Sequence, residues 1–337
     1  MTPSQQPDND RRPLVTLIAP AYNEADNAAG LVGFFREIKA AQPELDFELI
    51  LVDDGSTDGT AQIALDALGE GDVARIVRLS RNFGSHAGVT AGLAHARGDC
   101  ALTLSTDLQE PLEAVIRFLD EWRAGNDIVW GIREVRAVPK GMGNLMSRLF
   151  SRAFHRLSTI PTYPKDGPSQ ILVSRAVIDV VNSMPETNRN VLGIVAWVGF
   201  TQTTISFEQL PRPAGKSKWT SSKKIKLLLD SFVEFSSAPF LITAVLGLLI
   251  GGAGLVGILT LLLIALITLS APIAWGLILA SVFFLGGMQL VVLGGIGEYL
   301  WRTGDDARRR PVYITRSVHD VGTLNRSEML AGSSAAS

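Results

Sequence analysis

Short apolar runs alternate with polar loops along the first half of the chain. Residues 14–19, 48–52, 74–79 and 101–106 are each of strand length and each breaks into turn-forming or charged residues. Runs of that length with polar punctuation are the signature of strands buried on both faces of a parallel sheet. Between the first two, Leu31, Phe34, Phe35 and Ile38 recur at helical spacing, and residues 86–96 read as a further helix. Strands alternating with helices imply βαβ units, hence an α/β fold with a mostly parallel sheet and helices on both faces. The polar strand ends then lie at one edge and share the crevice where open α/β sheets bind ligands.

The run A-L-T-L-S-T-D-L-Q-E-P at 101–111 organises the rest. Asp107 and Gln109 leave the end of its strand two residues apart, so two oxygen donors can converge on a hard cation such as Mg²⁺ or Mn²⁺, which keeps positions open for substrate phosphates. A second reading makes Asp107 a helix N-cap with Glu110 and Pro111 in the first turn. The two are compatible. The V-D-D-G-S-T-D-G-T stretch at 52–60 is similarly double: Asp53 and Asp54 serve turn chemistry, or accept from a base N–H or a ribose hydroxyl. No phosphate loop and no G-x-G-x-x-G fingerprint follows any strand, which weakens kinase, ATPase and dehydrogenase readings.

Composition narrows the class. The 337 residues carry a formal net charge of -2 with 7% aromatics, so neither the cation excess nor the stacking platforms of a nucleic-acid binder are present. The single cysteine excludes an intrachain disulfide and a cysteine zinc cluster. Mean hydropathy is +0.23, and its origin is local. Residues 240–269 and 273–297 carry no charge, each run exceeding the roughly 20 residues that cross a bilayer core. They predict two spanning helices at 239–301, with glycines that let helix backbones approach and suggest helix pairing, within the chain or between copies as a homo-oligomer. An amphipathic stretch at 220–238 reads as an interfacial helix. Lys216, Lys218, Lys223, Lys224 and Lys226 before the pair, and Arg302, Arg308, Arg309, Arg310 and Arg316 after it, place both flanks in the cytoplasm. Residues 1–13 are polar and lack the apolar core of a signal peptide. The expected organisation is a disordered tail at 1–13, a cytosolic catalytic domain at 14–219, the membrane segments, and a polar cytoplasmic tail at 302–337.

Five motifs then carry a resemblance: P-A-Y-N-E at 20–24, V-D-D-G-S-T-D-G-T at 52–60, L-S-R-N-F-G at 79–84, A-R-G-D at 96–99 and T-D-L-Q-E-P at 106–111. In that order they resemble the family-2 inverting glycosyltransferases, most of all the branch with dolichyl-phosphate mannose synthase and the bacterial bactoprenol glucosyltransferases. The resemblance runs from residue 14 to the end of the second apolar run. It implies a nucleotide-diphospho-sugar fold of the GT-A type, a Mg²⁺ or Mn²⁺ cofactor, a nucleotide-sugar donor and a polyprenyl phosphate acceptor at the bacterial inner membrane. Position by position, it implies that Pro20, Tyr22, Glu24, Asp53 and Asp54 frame the nucleotide and that Asp107 and Gln109 hold the metal. Arg133, in the segment matching the family's G-x-R, and Arg148 would meet the acceptor phosphate. Residues 212–219, R-P-A-G-K-S-K-W, are similar to a family loop, so Arg212, Ser217 and Lys218 are assigned to phosphate binding.

Two departures stand out. Ser105 occupies the first position of the family's D-x-D metal loop, and Asp166-Gly167-Pro168-Ser169-Gln170 fits only one version of the family's catalytic-base segment, through Asp166. A strong base is not required, because a phosphate monoester with a second pKa near about 6 is already ionised at neutral pH. The reading is an inverting transferase that uses a UDP-sugar, with GDP-mannose as the alternative donor. A fold-retaining scaffold that has lost turnover through Ser105 and Ser169 is the alternative of another class. A processive polysaccharide synthase is disfavoured because two spans offer no channel for a polymer.

Overall fold

The structure, a computed structural model, describes residues 12–134, 163–164, 168–186, 190–210, 272–308 and 310–322, with Val256, Thr260, Leu263, Leu266 and Ile267. The chain divides into two compact units, one carrying the sheet and one carrying a long helix.

In the first unit the expected βαβ order is present. β1 (Leu14–Ala21), α1 (Ala25–Ala41), β2 (Asp46–Asp53), α2 (Thr60–Ala67), β3 (Ala74–Leu79), α3 (Ser85–His95) and β4 (Cys100–Thr103) follow one another. α4 (Leu112–Arg123), β5 (Ile128–Glu134), β6 (Gln170–Ser174), α5 (Arg175–Ser183), α6 (Val191–Trp197), β7 (Gln202–Glu208) and β8 (Thr315–Val321) complete it. The eight strands form one sheet in the order β7-β5-β6-β4-β1-β2-β3-β8. β1 to β4 are mutually parallel and β5 is parallel to β7, while β6 and β8 run against their neighbours. This is the mostly parallel α/β sheet expected.

β1 lies between β2 and β4, so both its edges are paired. Val15, Leu17 and Ala19 join Leu31, Phe35 and Ile38 of α1 in the main core, all essentially without exposure. Ile18 and Pro20 alternate to the other face, against Gly92 and Gly88 of α3. A Cβ at Gly92 would lie 2.2 Å from Ile18 Cγ2, so α3 rests on β1 only because that position has no side chain.

The A-R-G-D segment acts at the N-terminal ends of these strands. The Glu48 carboxylate accepts from Thr16 Oγ1 at 2.6 Å, from Arg97 N at 2.7 Å and from Arg97 Nε at 2.8 Å. Asp99 Oδ2 accepts from Leu14 N at 2.8 Å. The motif therefore ties β1, β2 and β4 together at the sheet edge away from the polar loops.

Three expectations change. Residues 315–321, expected in a polar tail, form β8, whose Asp320 accepts from Arg75 Nε at 2.6 Å. β4 ends at Thr103, where Thr103 Oγ1 accepts from Ile171 N at 2.9 Å, and residues 104–111 form a loop. The third concerns the membrane. The first expected span lies outside the described residues apart from the five isolated positions, and so does the interfacial helix at 220–238. The second is part of α7 (Pro272–Ala307), whose sequence runs on past Gly297 through Glu298, Arg302, Asp305 and Asp306. No helix among the described residues is long and apolar enough to cross a membrane. That finding overturns the expected placement as a multi-pass protein of the bacterial inner membrane and leaves the transmembrane hairpin without support.

Two outcomes follow from this packing. Gly92→Ala is expected to cost about 1–3 kcal/mol, because Ile18 is held in a filled core, and a denaturation midpoint checks it. The Arg75 hydrogen bond holds the Asp320 carboxyl below its ordinary value of 3.8, so the stability it lends β8 is complete above that pH and is lost as pH falls through the lower folded value. Amide protection of residues 315–321 should fall on acidification below about pH 3.8, and Asp320→Asn should remove that step.

Candidate active site

The parallel strands deliver residues 22–24, 54–60, 80–84 and 104–111 to one edge of the sheet. The end of β5 with Arg133, the start of β6 with Gln170, and the residues after β7 reach the same edge.

The first two loops are knitted together. Asn23, at φ +52°, accepts from Thr57 N at 2.9 Å through Oδ1, and its own N–H donates to Ser56 Oγ at 2.9 Å. Glu24 caps α1 through its carbonyl, and its N–H donates to Thr60 Oγ1 at 2.9 Å. Tyr22 is exposed beside them. Pro20 is the penultimate residue of β1, and its carbonyl accepts from Thr106 Oγ1 at 2.9 Å, which joins this side to the Asp107 loop.

Asp53 and Asp54 face inward and hold the loops. Asp53, fully buried, accepts from Ser56 N at 2.8 Å and lies 3.2 Å from Arg78 Nε. Asp54 accepts from Phe83 N at 2.7 Å and from Gly84 N at 2.8 Å. Burial pushes the Asp54 carboxyl above its ordinary value, and the two amides pull against that shift. Gly55, at φ +72°, sits between them, where a Cβ would lie 2.5 Å from the Arg81 carbonyl carbon. Burial also pushes His86, in the first turn of α3, down to about 4, so the imidazole is neutral at physiological pH. Arg81 stacks over Phe83 at 4.1 Å from the ring centre.

Asp107 belongs to a turn rather than to a helix cap: α4 begins at Leu112 with Pro111 at its N-cap. Leu108 has φ +54°, a left-handed conformation rare for a branched apolar residue. Gln109 is buried, its carboxamide oxygen accepting from Gln209 and its carbonyl from Leu210 N at 2.9 Å. Among the described residues no group of three or more His, Cys, Asp or Glu side chains is arranged to hold a metal ion. Asp107 and Gln109 could each offer an oxygen of the kind Mg²⁺ or Mn²⁺ takes, the Gln109 carboxamide oxygen being engaged by Gln209.

Glu110 was the residue sequence reasoning missed. It is 2% exposed and accepts from Ser105 N at 3.1 Å, from Ser105 Oγ and from Gln170 Nε2. Burial pushes its carboxyl up; the Ser105 bonds and the Arg133 charge pull it down, and Asp107 raises it further. Arg133 itself is exposed at the end of β5, near enough for its charge to act on Glu110. Trp197, at the end of α6, is 64% exposed. Arg148, Asp166, Arg212, Ser217 and Lys218 lie outside the described residues.

Residues 16–175 match Glycosyl transferase family 2. The chain is 33% identical over 302 residues to an uncharacterized glycosyltransferase of Synechocystis sp., covering 89% of this chain and 94% of that relative. A prophage-derived bactoprenol glucosyl transferase of Shigella flexneri is 29% identical over 306 residues, covering 90% of this chain and 98% of its own length. Among solved structures, a mannosyltransferase from Pyrobaculum calidifontis in complex with GDP-Man and Mn²⁺ aligns over 98% of this chain and 82% of its own, at 16% identity and a TM-score of 0.47.

Asp54→Ala is expected to leave two loop amides unpaired and to cost about 1–3 kcal/mol. Its hydrogen-exchange signature should be confined to residues 82–84, with the α1 face of the sheet unchanged.

Proposed function

We propose that this chain, which belongs to glycosyl transferase family 2, moves a sugar from a nucleotide diphosphate donor to a polyprenyl phosphate with inversion at the anomeric carbon. UDP-sugars are the preferred donors in this reading. The observation that carries it is the near full-length similarity to a bactoprenol glucosyl transferase, which extends well beyond residues 16–175. Its support in this chain's geometry is the convergence of the 22–24, 54–60 and 104–111 loops with Arg133 at one sheet edge.

Each group has a role. Pro20, Tyr22 and Glu24, with the loops held by Asp53 and Asp54, frame the nucleotide. Asp107 and Gln109 would hold Mg²⁺ or Mn²⁺, for which Gln109 must exchange its Gln209 partner. Held there, such a cation would supply neutralisation of charge on the departing nucleoside diphosphate. Arg133 would orient the acceptor phosphate through the paired donors of its guanidinium, with Arg148, Arg212, Ser217 and Lys218 assigned to phosphates by the same reading. An oxygen of the lipid phosphate dianion attacks the anomeric carbon, and the bond to the nucleoside diphosphate oxygen breaks on the opposite side. The nucleophile has no proton to lose, so orientation and charge neutralisation carry the rate, and the reaction does not require Asp166 as a base.

The full chain with Mn²⁺, undecaprenyl phosphate and a panel of UDP- and GDP-sugars tests this, with lipid products read by mass. One donor should yield a monoglycosylated lipid, and Asp107→Asn should lower kcat by about 10²-fold or more. No glycolipid from any donor would contradict the reading.

A further inference from the structure

We propose that Glu110 is a positioning residue for the Asp107 loop, clamping Ser105 to Gln170 so that the loop presents Asp107 in one geometry. The inference rests on the transfer reading given above and concerns the same edge of the sheet.

Three observations carry it. The Glu110 carboxylate is nearly inaccessible at 2% exposure, too enclosed to meet a ligand itself, yet every bond it accepts comes from the site: Ser105 N, Ser105 Oγ and Gln170 Nε2. A buried carboxylate persists only when its lone pairs are satisfied in this way. Second, the turn it closes is strained. Leu108 N donates to Ser105 O at 3.2 Å with Leu108 at φ +54°, and a left-handed branched residue costs about 1–3 kcal/mol and survives only where its surroundings over-determine it. Glu110 supplies that determination from beneath, while Leu210 N on the Gln109 carbonyl supplies it from the side.

The third observation is where the clamp leads. Gln170 is the first residue of β6 and pairs with Gly131 of β5, two residues before Arg133. One side chain therefore links the loop assigned to the donor with the strand assigned to the acceptor. Glu110 also brings a carboxyl group to Ser105, the position at which the resemblance leads one to expect an acid. Positioning errors of about 1 Å cost about 10²-fold in rate, so a clamp of this kind bears on turnover without touching substrate.

The test uses the full chain and its Glu110→Ala, Glu110→Gln and Ser105→Ala variants, together with the exchanged pair Ser105→Asp/Glu110→Ser. Calorimetric binding of UDP and of GDP is followed as a function of Mn²⁺, beside amide exchange at residues 105–109 in the metal-free chain. Glu110→Ala should raise the Mn²⁺ concentration at half-binding by about 10-fold or more, the effect of losing a group that orients a metal ligand. It should also speed exchange at 105–109. Ser105→Ala should shift both in the same direction by less, and Glu110→Gln keeps the test usable if the alanine variant fails to fold. The exchanged pair should recover part of the Mn²⁺ dependence, since it restores a carboxylate beside the turn. Glu48→Ala, a buried carboxylate lost from the opposite edge, should lower stability and leave the Mn²⁺ dependence in place. Glu110 variants that behave like Glu48→Ala, stability lowered with unchanged Mn²⁺ dependence and unchanged 105–109 exchange, overturn the inference alone. A wild-type chain with no Mn²⁺-dependent nucleotide binding overturns the transfer reading instead, and the exchange result then decides whether the clamp exists.

Discussion

The parallel pairing of β1 with β2 on one side and β4 on the other is the constraint from which the site follows. Leu14 pairs with Asp46 and Val15 with Cys100, so the three strands start within one residue of each other; β1 and β2 finish level at Ala21 and Asp53, and β4 leaves the sheet earlier, at Thr103 opposite Ile18. Their loops must then emerge together, and a change of one residue in register would exchange Ile18 with its core-facing neighbours. That register is guarded from both faces, by α1 side chains against Val15, Leu17 and Ala19 and by the bare backbone of Gly92 against Ile18.

Buried carboxylates at the two ends of this sheet divide the labour. At the N-terminal edge Glu48 is consumed by Thr16 and Arg97, and nothing about it faces a ligand. At the opposite edge Asp53, Asp54 and Glu110 are equally withdrawn, but what they hold are the loops that line the crevice. Removing an acid from water is costly unless it is fully bonded, so each such residue stiffens whatever it binds. The crevice is therefore built with its geometry set in advance, as the stabilisation of a charged leaving group requires.

Much of this was legible because it is local. The apolar runs that form β1, β2 and β3, the spacing of Leu31, Phe35 and Ile38, and the turn residues at 53–60 act within a few positions of each other, and pattern reading captures such interactions. The elements that were not legible depend on distant partners. Glu110 reads in sequence as a first-turn acid, yet its role comes from Gln170, 60 residues away. β8 is polar and exposed, and it becomes a strand through β3, its Asp320 lying 245 residues from Arg75. The inward aim of Asp53 and Asp54 was hidden too: the same D-D-G-S string serves a turn or a ligand, and only the positions of Arg78 and of the Phe83 and Gly84 amides decide between them. The apolar run at 273–297 misled in another way, because its lack of charge gave no indication that the helix continues into Glu298 and Arg302.

The proposed transfer requires a nucleotide diphosphate to lie across this edge with its pyrophosphate against the Asp107 loop. The structure of the full chain bound to Mn²⁺ and UDP, with the ion located by its anomalous scattering, tests that claim most directly. The account predicts manganese coordinated by Asp107 and by pyrophosphate oxygens, with the base beside the 54–60 and 80–84 loops. Manganese and nucleotide bound away from Asp107, with the 104–111 turn unaltered, would contradict it.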